Sequence, residues 1–196
     1  MGVKKDVVDP EKARRERERK EFKEAQELET LKRAFKRIDR DQDGKIGPDD
    51  IIAELDFLAH RIREPEAKKI IWEVDDDADG FVDWDEFREM FNRVRDDTTG
   101  YEPRKLFNIV EFCMLDKNHH GSVDLDEAVT VLYKKYGREA VDARVAETIA
   151  DDETDKIIKY SQYVDIQRYA SKARHGSVLK PGATMVPHVK GLSTLE

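Results

Sequence analysis

Apolar residues recur at three- and four-residue steps along most of the chain, and acidic, glycine-bearing stretches interrupt them. Leu28, Leu31, Phe35 and Ile38 fall on one helical face, as do Phe87, Met90, Phe91 and Val94, the spacing of amphipathic helices that face a core. A further series runs Val141, Val145, Ile149, and a dense apolar run, IVEFCML, starts at Ile109. The pattern predicts an all-α chain of helix, loop, helix units. Midway, DDTTGYEP from Asp96 breaks the helical period with Gly100 and Pro103. That break predicts two separately jointed lobes, residues 28–95 and 104–170, with a linker at 96–103.

The two ends follow different rules. From Asp9, a good N-cap, and Pro10 at the first helical position, EKARRERERKEFKEAQELET reads as a helix with pairs such as Glu11 with Arg15 and Glu16 with Lys20. Apart from Ala13 it carries no apolar residue before Phe22, so residues 1–27 form a charged helical arm with no stripe to bury. Residues 171–196 contain HGSVLKPGATMVPHVKGLSTLE. They have the Gly, Pro and net positive charge of an extended tail with no core of its own.

Repetition within the middle is the most informative feature. DRDQDGKIGPDD from Asp39, DDDADGFVDWDE from Asp75 and DKNHHGSVDLDE from Asp116 align without gaps, each with Asp first, Gly sixth and Ile or Val eighth. A fourth copy, DDETDKIIKYSQ from Asp151, keeps the acidic opening and Ile158 but has Lys156 in place of the Gly. The starts lie 36, 41 and 35 residues apart, as for units taken in pairs. Such a 12-residue loop gives a hard cation its oxygens from positions 1, 3 and 5, the carbonyl of 7, position 9 through water, and a bidentate Glu at 12.

The four copies differ in how much of that ligand set they retain. The second is complete: Asp75, Asp77, Asp79, the Phe81 carbonyl, Asp83 and Glu86, with Gly80 at the turn. In the first, Asp39, Asp41, Asp43 and the Lys45 carbonyl stand in place, but Gly47 occupies position 9 and Asp50 position 12. Asp is one methylene shorter than Glu, which lowers calcium affinity and admits Mg2+ as a competitor for Ca2+. Pro48 is tolerated there as the first residue of a helix. The third keeps Asp116, Asn118, the Ser122 carbonyl, Asp124 and Glu127 as candidate ligands but places His120, a poor oxygen substitute, at position 5. His119 and His120 lack a third soft ligand in register for zinc. The fourth, with Lys159 at position 9 and Gln162 at 12, is not expected to hold a metal. Its lasting role is structural: Ile46 with Val82, and Val123 with Ile158, would form the short strand pairs within each lobe.

Composition agrees with small helical lobes. The chain is 38% apolar and 41% charged, thin for one large core. The net charge is −8; the two ends carry small positive balances, leaving −12 in the middle, which argues against nucleic acid as the partner. No run reaches the roughly 18 apolar residues of a membrane span, and the polar start MGVKKDVVDP lacks a secretory stretch. Met1-Gly2 is followed by Asp6 where a myristoylation signal has Ser or Thr. These features predict a soluble, cytoplasmic protein. The single Cys113 reads as a small buried hydrophobe. No phosphate-cradling Gly loop, nucleophile motif or catalytic metal signature is present, and the acid clusters are explained by the loops, so no enzyme is expected.

On these loops, residues 28–170 resemble a four-hand member of the calmodulin, troponin C and centrin group of EF-hand proteins. The resemblance implies two paired EF-hand lobes, Ca2+ as ligand and a protein partner. The chain has four Met, and Met1 and Met185 lie outside the lobes. Few Met favour one dedicated partner over the flexible Met-rich groove of many-target sensors. The charged arm and basic tail resemble those of EF-hand subunits of ciliary and flagellar axonemes. That resemblance implies a regulatory or assembly subunit of a large cytoskeletal complex, or a constitutive structural subunit in which metal only stabilises the fold.

Overall fold

The computed structural model describes residues 10–97, 99–149 and 156–174. Met1, Gly2 and Asp6, the opening of the fourth loop at 151–155 and the tail from 175 onward lie outside the described residues. Eight helices are present among those described: α1 Pro10–Ile38, α2 Pro48–Phe57, α3 Glu64–Trp72, α4 Trp84–Asp96, α5 Lys105–Leu115, α6 Leu125–Tyr136, α7 Arg138–Ile149 and α8 Tyr160–Arg174. They fall into consecutive helix, loop, helix units. The last helix reaches Arg174, so the first four residues assigned to the tail are helical.

The expected strand contacts are observed in register. Ile46 bridges Val82, with each N–H donating to the other's carbonyl at 2.9 Å. Strand β1, Ser122–Asp124, pairs antiparallel with β2, Ile157–Lys159, placing Val123 opposite Ile158. Ile46, Val82, Val123 and Ile158 are all buried, because position 8 of each loop points into the core between paired units.

The helices present their apolar stripes as the spacing predicts. Leu31, Phe35 and Ile38 on α1 and Phe87, Met90, Phe91 and Val94 on α4 are buried, whereas Leu28 is 38% exposed and marks where α1 leaves the core. N-terminal to it the arm is solvated. Arg15 pairs with Glu11 at 2.7 Å and Arg14 with Glu18 at 3.5 Å, while Lys20 pairs forward with Glu24 at 3.6 Å instead of back with Glu16. Each exposed pair of this kind contributes only about 0.3–0.5 kcal/mol.

The two halves are not separately jointed. Buried apolar residues form one cluster running through both, and Phe91 of α4 stacks on Phe107 of α5 with ring centroids 5.3 Å apart. His60, after α2, meets Tyr160 of α8 edge-on at 5.4 Å. The linker itself is tied. Asp97 accepts from the N–H groups of Thr99 and Gly100 and pairs with Arg104 at 2.8 Å, and Arg93 pairs with Glu102 at 2.7 Å. Gly100 breaks helix periodicity, as the sequence indicates, with φ of 79°, but the side chains around it close the joint.

Candidate metal sites

The three glycine-bearing loops share a backbone form. Gln42, Ala78 and His119 at position 4 and Gly44, Gly80 and Gly121 at position 6 have positive φ. This conformation suits Gly and strains a β-carbon, and it turns successive N–H groups inward. In the second loop Asp75 accepts from Asp79 N–H at 3.2 Å and Gly80 N–H at 2.9 Å, and Asp77 accepts from Asp79 N–H at 3.1 Å. Carboxylates that repel one another are thereby held side by side.

Position 12 makes the same two contacts in the first and second loops, to the N–H groups of positions 9 and 2. Asp83 caps α4, accepting from Asp85 and Glu86 N–H, while Glu86 returns to accept from Asp83 N–H at 3.0 Å. This reciprocal capping box leaves the other Glu86 oxygen over the loop, accepting from Asp76 N–H at 2.8 Å. One oxygen from each of Asp75, Asp77 and Glu86 lies within 4.8 Å of the other two. Asp79 stands aside from this group and pairs with Lys45 of the first loop. The side-chain hydrogen bond from Lys45 is the main cause holding the Asp79 pKa below the usual carboxylate value. Lys45 and Asp79 meet because the Ile46–Val82 bridge sets the two loops back to back.

The first loop gathers Asp39, Asp41 and Asp43, whose carboxylate oxygens also lie within 4.8 Å of one another. Asp39 is buried, and its Oδ1 has no hydrogen-bond partner. An unpartnered carboxylate oxygen beside two further carboxylates fits a bound cation. Asp50 is outside this group. Its Oδ2 accepts from Gly47 N–H at 2.8 Å and its Oδ1 from Arg40 N–H at 3.1 Å, so the short side chain is committed to the backbone. Gly47 has a packing reason that the ligand pattern does not show: a β-carbon there would stand 3.1 Å from the Phe81 ring.

Side-chain length at position 12 gives the first prediction. Asp50→Glu should move a carboxylate over Asp39, Asp41 and Asp43 and raise the calcium-to-magnesium affinity ratio of this loop roughly tenfold. Competition titration of the two ions checks it, and an unchanged ratio would refute the argument from reach.

In the third loop the protein supplies its own cations. Asp116 accepts from His120 N–H at 3.0 Å and Gly121 N–H at 2.9 Å, matching Asp75, but its Oδ2 also lies 3.0 Å from Arg37 Nη2. Glu127 pairs with the ammonium of Lys117, at position 2 of the same loop. Asn118, the Ser122 carbonyl and Asp124 remain on the loop, with Asp124 capping α6 by accepting from Glu127 N–H at 3.1 Å. Of the fourth loop only its end is described, where Gln162 accepts from Lys159 N–H at 2.9 Å. That contact repeats the box between positions 9 and 12 and fixes the register of this end.

Arg37 is the residue that loop spacing did not point to. Its Nε donates to Glu54 Oε1 at 2.8 Å and its Nη1 to the Asp116 carbonyl at 3.0 Å. Nη2 sits 2.7 Å from Glu54 Oε1 as an ion pair whose angle is too oblique for a hydrogen bond. All three side chains are at most 3% exposed. Burial opposes the Arg37 charge, but the carboxylates of Glu54 and Asp116 outweigh it and hold its pKa above the usual arginine value. The Cys113 thiol donates to Glu54 Oε1 at 3.4 Å, and burial followed by the Glu54 charge pushes its pKa well up. Cys113 is therefore the buried, unreactive thiol its sequence context predicts.

Comparison with known proteins agrees with this geometry. The model of an EF-hand domain pair matches residues 28–92. Calcium-dependent protein kinase 10 of Arabidopsis thaliana is 30% identical over 155 residues, 78% of this chain but 27% of the kinase. Troponin C of Todarodes pacificus is 28% identical over 123 residues, 62% of this chain and 79% of that protein. A probable calcium-binding protein of Arabidopsis thaliana, CML25, is 31% identical over 106 residues, 54% of this chain and 55% of that protein. The chain spans about a quarter of the kinase's length, so only that portion of the kinase is shared.

Proposed function

With residues 28–92 an EF-hand domain pair of the calcium-binding superfamily, we propose that this chain is a calcium-responsive regulatory or assembly subunit of a larger protein complex. The observation that carries the reading is the convergence of Asp75, Asp77 and Glu86. Asp83 and the Phe81 carbonyl complete the ligand set, with Asp79 joining when Lys45 leaves it. The first loop, through Asp39, Asp41, Asp43 and the Lys45 carbonyl, is a weaker site open to Ca2+ and Mg2+. Bound calcium supplies positive charge that draws these oxygens together. The chain's own contribution is to preset the backbone turns and keep the carboxylates adjacent.

Residues 104–170 form two further hands in this reading, serving as a constitutive anchor. Their third loop is charge-matched by Arg37 and Lys117, and their fourth carries Lys156, Lys159 and Gln162. This favours a structural role for the second half beside a sensing role for the first. The solvated charged arm of α1 and the basic tail are the partner-binding elements, and a ciliary axoneme, with its acidic tubulin surface, is the assembly their charge pattern fits. Among the described residues no helix is long and apolar enough to cross a membrane.

Deleting residues 175–196 tests this division of labour. The truncated chain should keep its calcium-binding heat and lose at least about 90% of the complex recovered in a pulldown from ciliated cells, a loss of more than about 1.4 kcal/mol. Recovery of the same complex by the truncated chain, with capture depending only on calcium, would favour an ordinary groove-binding sensor.

A further inference from the structure

The third loop has the backbone of a cation site but keeps its first carboxylate on a protein cation from the other half of the molecule. His119 and Gly121 have φ of 55° and 72°, and two inward N–H groups hold Asp116 as they hold Asp75. Arg37 lies at the end of α1, Glu54 on α2, and Asp116 at the end of α5. One guanidinium thus joins the entering helix of the first hand, its exiting helix and the third loop. The Arg37 guanidinium also stands 5.5 Å from the centroid of the Phe57 ring, at the end of α2. The Phe57 carbonyl lies 3.5 Å from where a β-carbon on Gly121 would be. The third loop is therefore seated on the first hand by charge and close packing together.

Arg37 is two residues before Asp39, the first ligand position of the first loop. When a sensor hand binds calcium, its entering and exiting helices swing apart by tens of degrees. Here those helices are α1 and α2, and the side chains that would separate are Arg37 and Glu54. The third loop rests on both helices, with Asp116 on Arg37 of α1 and Gly121 against the Phe57 carbonyl at the end of α2, so parting the helices breaks one of the two contacts and unseats the loop.

We propose that Arg37 stands in for a bound cation at the third loop, and that this clasp holds the second half of the molecule on the first only while the first hand is calcium-free. The proposal rests on the calcium-binding reading above and adds what calcium does to the molecule. By linkage, the clasp lowers the calcium affinity of the first hand by the same factor as calcium weakens the clasp.

Cys113 reports the state of the clasp. It is the single cysteine, it is buried, and its thiol rests on Glu54. A cleft of about 260 Å³, lined by Arg33, Lys36, Arg37, Cys113, Asp116 and Lys117 among others, gives an anionic reagent a cationic approach. The experiment is the rate at which the full chain's thiol reacts with dithio-bis-nitrobenzoate, read from released thionitrobenzoate, with calorimetric calcium titration on the same samples. Calcium sufficient to fill the first hand should raise the rate at least about tenfold, as a local opening exposes the thiol. Asp116→Asn leaves Arg37 paired with Glu54, so the chain should fold, and it should raise the calcium-free rate toward the loaded one. It should also tighten first-hand calcium binding about fivefold or more.

A thiol rate unchanged by calcium, on a sample whose calorimetry shows the first hand filled, would overturn the calcium dependence. An Asp116→Asn rate within about twofold of the parent in chelator, too small a change for a lost local restraint, would overturn the clasp. Absence of any calcium heat would instead overturn the functional reading, and the comparison in chelator would still decide the clasp.

Discussion

Glu86→Gln should remove most of the calcium-binding heat of the full chain and weaken its tightest site roughly a hundredfold or more, a loss of about 2.7 kcal/mol. The reason is geometric. Glu86 is the only position-12 residue whose side chain both closes the capping box on Asp83 and places an oxygen among the Asp75 and Asp77 carboxylates. Asp50 reaches only backbone N–H groups, and Glu127 is turned onto Lys117. Gln keeps the length and one acceptor oxygen but loses the charge and the second oxygen, so bidentate coordination is lost. The fold should survive, because Phe87, Met90, Phe91 and Val94 continue to bury α4. Circular dichroism in chelator should therefore match the parent. Full retention of the heat would mean that another loop holds the main site.

The loops were legible because cation chemistry imposes fixed spacing: an acid at position 1, a turn glycine at 6 and a β-branched residue at 8 recur whatever lies between. That is why Ile46 opposite Val82 and Val123 opposite Ile158 could be read from the repeats and are found paired. Helix faces were legible for the same reason of period. Packing between halves was not, because nothing local encodes it. The break at Gly100 is real, yet Asp97, Arg104, Phe91 and Phe107 tie the segments on either side of it.

Arg37 shows what local reading misses and what signal it leaves. It stands in LKRAFKRID among other basic residues, and its partner Asp116 is 79 positions away. The trace is one of phase. On α1 Arg37 follows buried Ala34 by three residues, and on α2 Glu54 follows buried Ile51 by three. Each is a charged residue at a core-facing position, and two opposite charges of that kind on neighbouring helices point to a buried pair. The same logic separates the third loop from the second. Their backbones match, but only the third has a buried cation against its first carboxylate.

Charge counting at this cluster makes its largest stability prediction asymmetric. One guanidinium faces two buried carboxylates, so Glu54→Gln leaves Arg37 paired with Asp116, whereas Arg37→Met leaves Glu54 and Asp116 without a cation. Breaking a buried pair by removing the partner costs about 3–5 kcal/mol. Arg37→Met should lose that much in chelator at neutral pH, and Glu54→Gln markedly less. Urea denaturation at pH 7 measures both losses. Adding Glu54→Gln and Asp116→Asn to Arg37→Met should recover much of the Arg37→Met loss at pH 7, since no buried charge then remains unpaired. Equal losses for Arg37→Met and Glu54→Gln would show that the cluster acts through packing and not through charge.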